Sequence, residues 1–100
     1  MRVLVIVRPK FAIPPEQFPG LVQAFVAWRE RYRSVFESFD FFAGSGGGCG
    51  IVNVPDEATL SQLMLEYPFG MSSDLQPHLL LDGDKGLAQL QAMAASLAPR

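Results

Sequence analysis

The chain has 100 residues, of which 49% are hydrophobic and 18% are charged, and its formal net charge is −2. This length is close to the commonest domain size, so residues 1–100 are predicted to form a single domain. The hydrophobic content excludes a disordered chain. The basic residues do not cluster, which argues against nucleic acid as a partner.

The short apolar runs and the scarcity of cysteine and histidine set our expectations for the compartment and for cofactors. The longest apolar run, Val3 to Val7, is far shorter than the roughly 20 residues of a membrane-spanning helix, so no membrane is expected as a partner. No signal peptide is recognisable before the first prolines. Cys49 is the single cysteine and His78 the single histidine, so we expect a cytoplasmic protein with no metal site and no cofactor.

The first half of the chain predicts a strand, a long helix and a second strand. Met1 to Arg8 carries apolar side chains on both alternating faces, which is typical of a central strand. From about Pro15 to Phe36, apolar residues recur at steps of three and four, as on one side of a helix, and are interpreted as core. Phe39 to Phe42 is predicted as a short strand, and Gly44 to Gly48 as a flexible hairpin turn.

The second half predicts strand, helix, strand and a last helix. Cys49 to Val54 forms the third strand, and Asp56 caps the following helix, which ends before Pro68. Leu75 to Leu81 forms the fourth strand, where Pro77 indicates an edge position or a bulge. A final helix begins at Gly83 and Asp84, with Asp84 as its expected cap. Its apolar side carries Leu87, Leu90, Ala94 and Leu97.

This order predicts an α+β fold of the ferredoxin-like type, β-α-β-β-α-β, with an extra C-terminal helix. Two helices then cover one face of a four-stranded antiparallel sheet. If the valines of the first strand face the helices, Leu4, Ile6, Ile51 and Leu80 lie on the other face. That face is too apolar to remain in water, so we expect a homodimer in which two sheets face each other as a dimeric α+β barrel.

Several segments resemble one family. They are the opening Met-x-Val-x-Val strand, the Pro14-Pro15-Glu16 entry to the first helix, and the stretch from Ile51 to Leu81 with its Tyr67-Pro68-Phe69 helix exit. Together they resemble the muconolactone isomerase-like proteins of the dimeric α+β barrel group. The glycine-rich segment and the extra helix differ from the isomerase pattern. The resemblance implies a dimer whose sheets enclose a pocket for a small molecule, such as a small organic acid.

His78 is the candidate catalytic residue, because an imidazole that titrates near neutral pH suits proton transfer in an isomerisation. On the fourth strand it alternates with Leu79, so it shares a face with Gln76, a candidate for substrate binding. Arg8 is expected on the same face as His78. The alternative interpretation of His78 is a half-exposed strand histidine with no role in chemistry.

Two further residues are candidates for substrate binding. Arg8 ends the first strand, and its guanidinium is suited to holding a carboxylate, although a polar residue at a strand end is also common. Asn53 interrupts an apolar run, which indicates either ligand binding or a structural hydrogen bond.

The sequence therefore leaves two functions open. One is an enzyme of the isomerase or cofactor-free oxygenase kind, acting on a lactone or an aromatic acid by proton transfer. The other is a non-catalytic dimeric module that binds a small molecule or a protein. The fold alone does not distinguish them.

Overall fold

The computed structural model describes residues 1–99 and contains a four-stranded antiparallel sheet in the order β2-β3-β1-β4. Its strands are β1 (Arg2–Pro9), β2 (Phe36–Phe41), β3 (Gly48–Asn53) and β4 (Ser73–Leu79), and its helices are α1 (Phe18–Arg31), α2 (Glu57–Leu65) and α3 (Gly83–Leu97). The ferredoxin-like α+β fold with an extra C-terminal helix is confirmed. β1 is a central strand, as predicted.

The sheet has two chemically different faces. The inner face, which carries Val3 and Val5, packs against α1 and α2, and both valines are buried. The outer face carries Leu4 and Ile6, which are partly exposed. The buried core consists of Val3, Val5, Trp28, Val52, Val54 and Leu63. The outer face therefore has no covering layer within residues 1–99.

One buried hydrogen bond joins the two covering helices. The indole Nε1 of Trp28 in α1 donates to the backbone carbonyl of Leu63 in α2 at 3.0 Å, and both residues are buried. A buried carbonyl at this position needs a partner, and the indole N–H supplies it. Trp28 thus positions α2 relative to α1 as well as filling the core.

Helix α1 is shorter than the sequence predicted. It begins at Phe18, with Pro19 in its first turn, and ends at Arg31; the 3₁₀ turn Arg33–Val35 follows it. Phe36 already belongs to β2, where it lies opposite Val52. The prediction extended the helix too far because the spacing of Phe36 from the preceding aromatic residues fits a helix. In the structure Phe36 reaches the inner side of the sheet from a strand instead.

The ends of the other helices follow local capping. Asp56 caps α2 as predicted, since its carboxylate accepts from the backbone N–H of Thr59 at 2.8 Å. The cap of α3 was predicted two residues too late: Asp82, not Asp84, accepts from the backbone N–H of Lys85 at 3.3 Å. Pro77 lies in β4, an edge strand, as its lack of an N–H requires.

Helix α3 extends away from the rest of the molecule. None of its residues is buried, and the molecule measures 67 × 27 × 21 Å. The radius of gyration is 17.7 Å, whereas a compact domain of this length has a value of about 13 Å. The sheet and the first two helices thus form the body, and α3 forms a projecting arm.

We expect Trp28→Phe to destabilise the protein by about 1–2 kcal/mol, because phenylalanine keeps the aromatic packing but leaves the buried Leu63 carbonyl without its donor. Urea unfolding followed by circular dichroism measures the change. Gln23→Ala, on the exposed side of the same helix, serves as the control and should change stability by less than about 0.5 kcal/mol. Equal stability of Trp28→Phe and the wild type would contradict the assigned role of the indole.

Candidate functional site

The inner face of the sheet has a gap at two positions of β3. Val5 pairs with Gly50, and Val7 pairs with Gly48. On the other side of β3, Gly50 lies opposite Phe39, and Gly48 opposite a second β2 residue, Phe41. Because glycine has no side chain, β3 places no side chain between the residues of β1 and β2 in these rows, although the Phe36 ring covers Gly50, where an added Cβ atom would lie 3.0 Å from it. This gap is the floor of a cavity.

Aromatic side chains form the walls above this floor. The ring of Phe25 in α1 lies 5.7 Å from that of Phe39 and 6.0 Å from that of Phe41, measured between centroids. On its other side it lies 5.9 Å from the rings of both Tyr67 and Phe69, which follow α2. Tilted and edge-on contacts at these distances are favourable for aromatic pairs. Phe25 therefore connects the sheet to the segment that follows α2.

The resulting cavity has a volume of about 440 Å³ and lies between the helices and the sheet. Its aromatic lining consists of Phe11, Phe18, Phe25, Trp28, Phe36, Phe39, Phe41, Tyr67 and Phe69. Three of these rings lie toward the surface: Phe11, Phe18 and Phe41 are 64%, 52% and 69% exposed. These three residues mark the mouth of the cavity.

The cavity offers few polar groups. Its polar lining residues are Asp40, Cys49, Tyr67, Ser72 and the buried Ser73, and none of the lining residues in the described part of the chain is Lys, Arg or His. Burial raises the pKa of the Tyr67 phenol above its ordinary value, so this hydroxyl is neutral at physiological pH and is able to donate a hydrogen bond. The site is therefore suited to an apolar molecule with a hydrogen-bond acceptor.

A polar cluster connects the helices at the end of α1 that is farther from the mouth. The hydroxyl of Tyr32 and the guanidinium of Arg31 both donate to the carboxylate of Glu66. The hydrogen bond from Tyr32 is the main cause that lowers the pKa of Glu66; desolvation opposes the shift, and a hydrogen bond from Gln62 and attraction to Arg31 add to it. These groups lie outside the cavity lining and have a structural role in joining α1 to the end of α2.

All four residues predicted as site residues lie on the outer face. His78 is opposite Leu4, and Gln76 is opposite Ile6. Arg8 lies farther along β1 on the same face, so the expectation that it shares a face with His78 is confirmed. Asn53, opposite Arg2, lies on that face as well and is exposed.

The structure does not bring these four residues to one point. Arg8 is four residues along β1 from the position opposite His78, a separation of about 13 Å along the strand. Asn53 pairs near the other end of β1. The guanidinium of Arg8 lies over the ring of Phe42 at 5.6 Å. None of the four lines the cavity, so their roles in catalysis and substrate binding stay predictions about the outer face.

Sequence reasoning missed the cavity because its components matched ordinary structural patterns. The aromatic residues of α1 were interpreted as core, and the glycine-rich stretch as a turn. Part of that stretch is a turn, since Gly44, Gly46 and Gly47 have positive φ. The available signal was the alternation of Gly48 and Gly50 with Cys49, which places both glycines on one face of a strand.

Two other structural features are relevant to function. In the described residues, no group of three His, Cys, Asp or Glu side chains is arranged to hold a metal ion. No helix within residues 1–99 has the length and apolar character needed to cross a membrane.

The fold is similar to those of two solved enzymes. Muconolactone isomerase superimposes with a TM-score of 0.64 at 19% sequence identity, covering 80% of this chain and 88% of that chain. The 5-chloro-2-hydroxyhydroquinone dehydrochlorinase of Burkholderia phenoliruptrix, solved with 2,5-dihydroxybenzoquinone, superimposes with a TM-score of 0.62 at 13% identity, covering 85% and 98%. No family model matches the sequence. No curated protein matches it in sequence either. The resemblance to muconolactone isomerase-like proteins is thus confirmed for the fold.

We expect Gly48→Ala to be destabilising by about 1–3 kcal/mol, because a Cβ atom there would lie 2.2 Å from the backbone carbonyl oxygen of Asp40, which cannot move without disturbing the pairing of β2 with β3. Thermal or urea unfolding measures the effect. Gly20→Ala is the matched control: no atom lies within 4 Å of its Cβ, and in a helix the change should be neutral or stabilising by up to about 1 kcal/mol. Similar behaviour of the two variants would contradict the close approach at Gly48.

Proposed function

We propose that this protein binds a small, flat, uncharged ring compound in the cavity between its helices and its sheet. The observation that supports this proposal is the aromatic-walled cavity above the glycine floor. A volume of about 440 Å³ is within the range of small-molecule sites. Since an apolar cavity of roughly 150 Å³ is enough for benzene, two fused rings with substituents fit in this space.

The chemistry of the lining favours a ring over a flexible chain. Aromatic walls contact a planar molecule by offset stacking and edge contacts, which add to the gain from burying apolar surface. Phe25 is within contact distance of rings on both sides of the cavity, so it is central to that binding surface. The phenol of Tyr67 is the lining group best suited to donate to a carbonyl or hydroxyl oxygen of the ligand.

The same lining disfavours an anion. A carboxylate loses its hydration on entering an apolar site and needs a cation or several donors in return. No described lining residue is cationic. The small organic acid expected from the sequence is therefore a poorer ligand for this cavity than a neutral ring, and an acid would have to bind elsewhere on the molecule.

We also propose that two copies pair through their outer faces, and this pairing supports proton-transfer catalysis as a second candidate function. His78 and Gln76 project from the outer face beside Leu4 and Ile6. In a single chain His78 is exposed, whereas face-to-face pairing would enclose it. Arg8 or Asn53 would then orient a lactone or an aromatic acid. Two proteins of this fold are named for reactions on small ring compounds, an isomerase and a dehydrochlorinase.

The binding proposal predicts discrimination between neutral and anionic rings of the same shape. Isothermal titration calorimetry at pH 7 with 2-naphthol should show one site per chain with a dissociation constant in the micromolar range. 2-Naphthoate, which carries a carboxylate on the same rings, should bind at least tenfold more weakly, because its charge is desolvated without compensation. Failure of both compounds to bind would contradict the proposed function.

Variants locate that binding to the cavity. Phe25→Ala should weaken 2-naphthol binding about tenfold, since it removes the ring that connects both walls. Val26→Ala is its neighbour on the same helix, is 61% exposed and does not line the cavity, so it should leave the affinity unchanged. Circular dichroism verifies that both variants are folded. Equal effects of the two substitutions would mean that the compound binds elsewhere.

The catalytic candidate predicts turnover of muconolactone that depends on His78. If His78 catalyses proton transfer, His78→Asn should lower kcat at least a hundredfold, because the substitution removes the proton-transfer group. Glu16→Gln, exposed in the segment before α1 and not part of the sheet, is the control and should keep wild-type turnover. Isomerisation is followed by ultraviolet absorbance. An inactive wild type, or full activity in His78→Asn, would support the non-catalytic alternative.

A further inference from the structure

Helix α3 carries an apolar stripe that faces solvent. Leu87, Leu90, Met93 and Leu97 are 53%, 63%, 60% and 77% exposed, and their spacing places them on one side of the helix. Its charged residues, an aspartate and a lysine, stand in the first turn. A surface helix that stays in water normally has one charged or polar face and one covered apolar face. The stripe of α3 therefore requires a covering surface.

The body of the same chain does not supply this surface. The backbone N–H of Leu80 donates to the carbonyl of Arg2 at 2.9 Å, which extends the pairing of β4 to the end of the sheet. Asp82 then caps α3, and its carbonyl accepts from the N–H of Gly86 at 2.9 Å. Leu81 alone separates these two anchored positions. A fold-back of α3 onto its own body that kept both bonds would have to turn the chain at this one residue.

A matching groove exists on the body. It lies between α2 and β4, has a volume of about 520 Å³, and is lined largely by aliphatic and methionine side chains: Leu60, Met64, Leu65, Met71 and Leu75. Met71 is 91% exposed and Leu65 is 79% exposed. The groove and the arm are thus both apolar, both uncovered, and both connected to β4.

We propose that α3 of each chain lies in the groove between α2 and β4 of a second copy, in a reciprocal exchange. A specific interface needs about 1,000 Å² of buried surface, and a reciprocal exchange adds the contact areas of two arms and two grooves toward it. The second copy is the occupant because it offers both complementary surfaces at once, so one two-fold arrangement covers them all. This exchange is independent of the ligand in the cavity.

Disulfide cross-linking between two variants tests the exchange directly. Cys49→Ser removes the single native thiol, and in that background one variant carries Leu90→Cys and the other Met71→Cys. After mixing and mild oxidation, we expect a mixed cross-linked dimer on a non-reducing gel. Ala92→Cys lies on the opposite side of α3 and should not link to Met71→Cys. Linkage of Leu90→Cys to Phe41→Cys at the cavity mouth, in place of Met71→Cys, would overturn the assigned groove.

Sedimentation supplies a second measurement that does not depend on thiol chemistry. Leu90→Lys should raise the dissociation constant of the dimer at least tenfold, because it introduces an unpaired charge into an apolar contact. Ala92→Lys, which changes the charge equally on the other side of the helix, should leave the dissociation constant unchanged. A wild type that is monomeric at micromolar concentration, or a dimer insensitive to Leu90→Lys, would overturn the exchange.

Discussion

The cavity depends on the missing side chains of Gly48 and Gly50. Both glycines lie on the inner face of β3, two residues apart, and each is paired with a valine of β1 and a phenylalanine of β2. Glycine weakens a strand because it loses more backbone entropy on folding than other residues do, and because it has no side chain to pack. It also allows close approach: a Cβ atom at Gly50 would lie 3.0 Å from the Phe36 ring. Gly50 thus allows an aromatic ring to lie against the backbone, and Gly48 allows the close approach of the Asp40 carbonyl oxygen, which would lie 2.2 Å from a Cβ atom there.

The sheet separates two kinds of chemistry. Its inner face lines an aromatic cavity with few polar groups, whereas its outer face carries His78, Arg8 and Asn53. A ligand in the cavity is separated from His78 by the backbone of the sheet, so one bound molecule cannot use both sets of residues. Binding in the cavity and proton transfer at His78 are therefore distinct functions, and neither one is an argument for the other.

The sequence was sufficient for the fold because the fold depends on patterns that sequence displays directly. Alternating valines indicated β1, Asp56 indicated the start of α2, and Pro77 indicated an edge strand. The limit of α1 was not predictable from spacing, because Phe36 reaches the inner side equally well from a strand. Predicting the cavity would have required the register of three strands, because that register places Gly48 and Gly50 beside residues that are distant in sequence.

The edge strand β4 limits how copies of this chain can associate. Pro77 has no N–H to offer a neighbouring strand, so joining two sheets edge to edge along β4 would lack a hydrogen bond at that position. Contact through the outer faces covers Leu4 and Ile6 but leaves the stripe of α3 in water. Exchange of α3 covers both this stripe and the groove beside β4. Face pairing and arm exchange thus cover different apolar surfaces, and a dimer that buries all of them needs both.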